Sequence, residues 1–90
     1  MTLYTVFLEY GGGTYIAQVL SESPTCALAK WMADLRPEKL KAWKLPSGDL
    51  KSVLSENPPL ALDDVSNVWC VVGNGKREQI LINVVATVQP

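Results

Sequence analysis

The sequence contains no histidine. The commonest general base at neutral pH and the commonest metal ligand are therefore both missing. Its two cysteines, Cys26 and Cys70, stand far apart and form no metal-ligand spacing. A disulfide between them is one reading; reduced thiols in a cytosolic protein fit the rest of the composition better. No apolar run approaches the roughly 18 residues that a membrane helix needs. The N-terminus lacks the basic-then-apolar pattern of a secretory signal. Together these absences lead us to expect a cytoplasmic protein with no membrane partner. An excess of basic residues is missing too. Lys and Arg number 8 against 9 Asp and Glu, for a net charge of −1, and the pI is near 5.2. Wholesale nucleic-acid binding usually carries a domain pI above about 9. There is no internal repeat and no low-complexity linker. The 90 residues make one domain, residues 1–90, able to bury a little over about 60% of its unfolded surface.

The stretch from Leu3 to Leu35 is the most legible. Leu3 to Tyr10 is rich in aromatic and β-branched residues, as strands are. Gly11-Gly12-Gly13 supplies the positive φ angles of a tight reversal, and Thr14 to Leu20 returns. A two-residue loop puts Val6, Leu8 and Tyr10 on one face with Tyr15, Ala17 and Val19, the better core candidate. The opposite face carries Thr5, Glu9, Thr14 and Gln18, but also Phe7 and Ile16. A three-residue turn would exchange the partners, because the side-chain period is two, so the register stays open. Ser23 is then a good N-cap and Pro24 suits the first helical position. Leu28, Trp31, Met32 and Leu35 follow at helical spacing, and Pro37 ends the helix at about Arg36.

The segment from Arg36 to Asn67 is the least regular. Pro37 to Lys44 is long enough for one or two helical turns before Pro46. Ser47 reads as a cap for a short second helix over Asp49 to Ser55, with Leu50, Val53 and Leu54 on one side. Asn57-Pro58-Pro59 forces extended chain, and Asp63 to Asn67 reads as a turn. Val68 to Gly73 then runs into Asn74-Gly75, a strong hairpin signal, and Gln79 to Val88 returns. A two-residue turn there pairs Trp69 with Ile80 and Val71 with Glu78. Trp69, Ile80, Ile82, Val84 and Ala86 line one face. The last strand is longer than its hairpin partner, so its second half needs the first strand as a neighbour. The expected fold is α+β. It has an antiparallel four-stranded sheet in ββααββ order, with the second strand at one edge beside the first, then the fourth, then the third. The helices pack on one face.

The chemical readings are weak. Cys26 as a nucleophile would gain from a helix N-terminus, but no histidine is there to serve it, and a structural thiol is the better reading. Asp63 and Asp64 could hold a metal or act as an acid–base pair; adjacent acids after two prolines are more often a solvated turn. Gly11-Gly12-Gly13 has neither the lysine nor the spacing of a phosphate loop. No catalytic, cofactor or metal residue is assigned, and a non-enzymatic protein is expected.

Two surfaces carry more weight. Arg36, Lys39, Lys41, Lys44 and Lys51 surround Trp43, and cations with an aromatic are what single-stranded nucleic acid needs. Solvated lysines around a core tryptophan use the same letters and are the preferred reading. The other surface is apolar. At 48% hydrophobic and 19% charged residues, both sheet faces hold large side chains, and short helices cover only one. Phe7, Ile16, Leu81 and Val85 are a candidate interface. Either the segment from Arg36 to Asn67 folds over them or a second copy does. The charge and prolines of that segment favour the copy, with Phe7 and Ile16 near the centre of a homodimer.

Tyr15-Ile16-Ala17-Gln18-Val19 followed by Ser23-Pro24-Thr25-Cys26-Ala27-Leu28 resembles the hairpin-to-helix passage of HicB-type antitoxin domains. The proline-glycine-cysteine turn typical there is absent, and nothing after Leu35 corresponds to a DNA-binding appendage. Gly12 to Tyr15 and Trp69-Cys70 also resemble the Gly-Gly-Thr-Tyr turn and Trp-Cys strand of a class of small bacterial proteins of unknown function. Neither resemblance brings an activity or a site residue with it. The expected role is action through protein contacts, as a homodimer or with an accessory partner. The alternative is a nucleic-acid-binding module built on Arg36 to Lys51.

Overall fold

A computed structural model describes residues 1–87. The chain runs β1 (Thr2–Tyr10), β2 (Gly13–Ser21), α1 (Pro24–Asp34), α2 (Pro37–Trp43), α3 (Ser47–Glu56), β3 (Leu60–Ala61), β4 (Val68–Asn74) and β5 (Gln79–Thr87). The fold is α+β. Its antiparallel sheet has five strands in the order β2-β1-β5-β4-β3, and three helices accompany it. Four strands and two helices were expected. The fifth strand follows from Pro58-Pro59, which hold the chain extended so that Leu60 and Ala61 pair with Cys70 and Trp69. The extra helix is the turn-forming run from Pro37 to Trp43, which Pro37 starts in the first helical position.

The first hairpin closes with Tyr10 opposite Gly13. Gly11 and Gly12 both have positive φ, +58° and +82°, as a two-residue turn matched to strand twist requires. Val6 therefore faces Ala17 and Leu8 faces Tyr15, the partners that a two-residue loop gives and one of the two registers the sequence left open. The second hairpin does not turn at Asn74-Gly75. Asn74 pairs with Gln79, and Gly75 to Glu78 form a four-residue loop, closed by the Gly75 N–H donating to the Glu78 carbonyl at 2.9 Å. Trp69 pairs with Val84 and Val71 with Ile82, not with Ile80 and Glu78. The shift is even, so every side chain keeps its expected face. The longer loop lets all of β4 pair with β5, whereas the tight turn would leave the far half of β5 without that neighbour. Asp49 anchors the loop, its Oδ2 accepting the Lys76 backbone N–H at 3.0 Å. β5 lies mid-sheet, pairing with β1 from Leu81 to Thr87; Val88, expected to continue it, lies outside the described residues.

All three helices pack on one face. The core joins Tyr4, Val6, Leu8 and Tyr10 of β1 with Val71, Ile80, Ile82 and Val84, under Leu28 and Trp31 of α1 and Leu50 and Val53 of α3. The α1 N-cap is as expected. Ser23 Oγ accepts the Cys26 N–H at 3.1 Å, and Pro24 opens the helix. α1 ends at Asp34, two residues before the expected Arg36, with Leu35 extended as its C-cap. Ser47 is not a cap but the first residue of α3; Pro46 holds the cap position without a side-chain bond. α3 sits directly on the sheet at Gly73, where a Cβ would stand 2.7 Å from Val53 Cγ1.

Candidate functional site: a bare sheet face and an open edge

The segment from Arg36 to Asn67 does not cover the second sheet face. α2 and α3 pack on the core side, with Leu40, Trp43, Leu50 and Val53 turned into it, and β3 only lengthens the sheet. Among the described residues no helix covers the outer face. Its central row, read across all five strands, is Leu60, Cys70, Asn83, Phe7 and Ile16. Flanking rows place Val85 beside Thr5 and Leu81 beside Glu9 and Val72. Phe7, Ile16, Leu81 and Val85, singled out from the sequence, thus share this face. Phe7 and Ile16 are direct cross-strand partners. Ile16 is 63% exposed and Leu60 67%, while Phe7, Leu81 and Val85 are half-buried among their neighbours.

Three polar side chains of this face, Thr5, Gln18 and Thr87, are joined by hydrogen bonds. Thr5 is buried; its hydroxyl bonds to the Thr87 hydroxyl and accepts from Gln18 Nε2 at 3.2 Å. Among these rows Glu9 is the one charged side chain, and it is exposed. Cys70 lies in the central row. Burial pushes its thiol pKa up from the ordinary value. Both cysteines are free. They occupy different layers, Cys26 exposed on α1 and Cys70 on the outer sheet face.

The basic stretch does not form one stripe. Arg36, Lys39 and Trp43 line a crevice of about 210 Å³ beside the edge of β2, with Tyr15, Trp31 and Asp34. Trp43 stacks on Tyr15, ring centroids 4.4 Å apart and planes 21° from parallel. Lys41 and Lys44 are exposed and line neither that crevice nor the hollow next to it. Lys51 belongs to a separate apolar groove of about 540 Å³ between α1 and α3, whose walls include Leu28, Met32 and Leu54. Asp63 and Asp64 are exposed in a turn, where Asp64 takes a positive φ of 63°. No cluster of three or more metal-ligating side chains occurs among the described residues. Among those residues no helix is long and apolar enough to cross a membrane.

The edge crevice is what the sequence reading missed. Its signal was available in part. The expected strand order already put β2 at an edge, and Gly13 to Ser21 contains neither proline nor charge, the residues that usually blunt an edge. The stacking of Tyr15 on Trp43 has no local sequence signature. Compared with family models, curated proteins and solved structures, the chain matches none.

Proposed function

We propose that this is a non-enzymatic protein that works through protein contacts and pairs with a second copy of itself through the bare sheet face. The observation that carries the reading is the placement of all three helices on the opposite face, so that among the described residues no helix covers the outer one, where Ile16 and Leu60 are exposed and Phe7, Leu81 and Val85 are half-buried. An apolar patch of this kind on a small domain marks an interface. A two-fold pairing needs only the same patch on both subunits. The internal bonding of Thr5, Gln18 and Thr87 lets that strip be buried without stranding polar groups. With Glu9 as the one charge in these rows, two copies meet without like-charge repulsion at the centre.

The size of the face sets the strength. Strands about 4.8 Å apart, with a rise of about 3.3 Å per residue, give a flat footprint of roughly 600 Å². A standard interface takes about 800 Å² from each partner. The pairing expected is therefore reversible and concentration-dependent, not obligate. Light scattering of the wild type beside Phe7→Glu tests it. A dimer at high micromolar concentration that the substitution makes monomeric supports the reading. A monomeric wild type, or a Phe7→Glu protein that stays dimeric, overturns it. The competing reading, single-stranded nucleic acid held by Arg36, Lys39, Lys41, Lys44 and Trp43, has less support. The cations diverge, and one face of Trp43 is already stacked on Tyr15.

A further inference from the structure

We propose that the free edge of β2 is a docking site for an extended acidic peptide, which joins the sheet as an additional strand alongside Gly13–Ser21. β2 ends the sheet: it pairs with β1 throughout, and among the described residues no strand lies on its other side. In an antiparallel ladder, alternate residues send both N–H and C=O the same way. The two-residue turn makes Tyr10 and Gly13 the closing bonded pair. Tyr15, Ala17 and Val19 then bond to β1, and Thr14, Ile16, Gln18 and Leu20 present their backbone groups outward. The Leu20 carbonyl fits this assignment, since it accepts from Lys30 Nζ at 3.3 Å and is turned away from β1.

The two sheet edges are built differently. The far edge is broken. β3 is two residues long and covers only Trp69 and Cys70, with Pro58-Pro59 before it and Asp63-Asp64 after it, devices that discourage strand addition. Past it only the short run of residues 71–74 of β4 reaches the edge before the loop at Gly75. β2 is nine residues long, unbulged in its pairing with β1, and free of proline and charge. Beside it lies the crevice walled by Tyr15, Trp31, Leu35 and Trp43 and carrying Arg36 and Lys39 against Asp34. Glu38 faces the adjoining hollow on the Thr14 side.

Side chains of an added strand that point toward the helices, on the side of Tyr15, Ala17 and Val19, enter this crevice. A carboxylate there meets two cations and one acid. Main-chain bonds supply affinity in such strand addition, and pockets for alternate side chains supply the selection. A second copy of β2 fits less well. It brings no carboxylate, and two-fold antiparallel pairing keeps both sets of helices on one side, so Arg36 and Lys39 of the two copies approach each other. Dimerisation through the sheet face leaves this edge open, so the two proposals stand or fall separately.

The probe is a fluorescein-labelled peptide of alternating Glu and Thr, long enough to span Gly13–Ser21, with an alternating Lys and Thr peptide beside it. Fluorescence anisotropy reads affinity, and amide NMR shifts read location. The acidic peptide is expected to bind at micromolar concentration, shifting the amides of Thr14, Ile16, Gln18 and Leu20, and the basic peptide about tenfold more weakly. Gln18→Pro removes an outward N–H, as edge strands tolerate, together with the side-chain bond to Thr5; it should abolish peptide binding while the chain stays folded, at a modest loss of thermal stability. If that variant does not fold, the charge reversal Arg36→Glu with Lys39→Glu carries the test, since it should exchange the order of the two peptides. Phe7→Glu should bind the acidic peptide as the wild type does.

Three results overturn the proposal. One is the absence of acidic-peptide binding up to millimolar concentration, or binding that ignores both Gln18→Pro and the charge reversal. Another is oligothymidylate binding at Lys39 in preference to the peptide. The third is a concentration-dependent shift of the β2 amides without any peptide, which would give the edge to a second copy.

Discussion

At the scale of single residues, tolerance depends on which layer a side chain faces. Trp31 fills the gap between α1 and the sheet and is 5% exposed. Trp31→Ala should cost about 3–5 kcal/mol, read as a fall in the denaturant midpoint; a variant within a few degrees of the parent in melting would mean α1 does not depend on that contact. Gly73 is sensitive for the opposite reason, because it is too close to Val53 to accept any side chain. Gly73→Ala should push α3 off the sheet and cost about 1–3 kcal/mol. The cysteines separate by chemistry. Cys26 is exposed, whereas the Cys70 thiol is held protonated by desolvation, and the thiolate is the form that alkylates. Iodoacetamide at mildly alkaline pH should label Cys26 before Cys70, and raising the pH should narrow the gap as Cys70 ionises. Equal labelling from the start, read by mass spectrometry, would mean the outer face is more open than described.

At the scale of elements, what was legible depended on how local the signal was. α1 was readable from Ser23, Pro24 and the stripe of Leu28 and Trp31, all of which act within a few residues. The turn of the first hairpin was readable because only glycine takes two successive positive φ angles cheaply, but with three glycines in a row its register was not. The second misled for an equally physical reason: Asn74-Gly75 favours a tight turn locally, but the longer loop pairs all of β4 and lets Asp49 hold Lys76. Tertiary pairing outweighed the turn preference. The turns after Pro37 were legible and became α2, but its docking through Trp43 on Tyr15 was not. Pro58-Pro59 marked extended chain, but the pairing that makes β3 a strand depends on Cys70 and Trp69, far along the sequence. The same distinction separates the cations of α2. Lys39 faces the edge crevice, whereas Lys41 is exposed on the helix and Lys44 is its C-cap. Reversing Lys41 and Lys44 to Glu should therefore shift stability by no more than about 1 kcal/mol and leave peptide affinity at β2 unchanged. A salt-sensitive loss of nucleic-acid binding in that double variant would instead restore the basic stretch as the working surface.

At the scale of the whole molecule, the two sheet faces could be assigned from residue alternation, and the apolar surplus pointed to a second partner surface before any coordinates. Whether the middle of the chain covered that surface was not legible, because α2 and α3 carry a single apolar side each and either sheet face could have received it. The core face received both, and among the described residues no helix lies on the outer face. Under the proposed pairing, assembly and stability become one equilibrium. If only the folded chain pairs through the face of Phe7 and Ile16, each folded dimer removes folded monomer from the unfolding equilibrium, and the melting temperature must rise with protein concentration. With total protein at a hundredfold excess over the dimer dissociation constant, self-association leaves about one fourteenth of the folded chain monomeric, a stabilisation of about 1.6 kcal/mol per chain, several degrees for a domain of this length. Phe7→Glu places a carboxylate at the centre of the row and should flatten the dependence, so that its melting temperature is the same at every concentration. A wild-type melting temperature that does not move from low to high micromolar protein would show that the bare face is not satisfied by a second copy, and would leave it for a partner of different sequence.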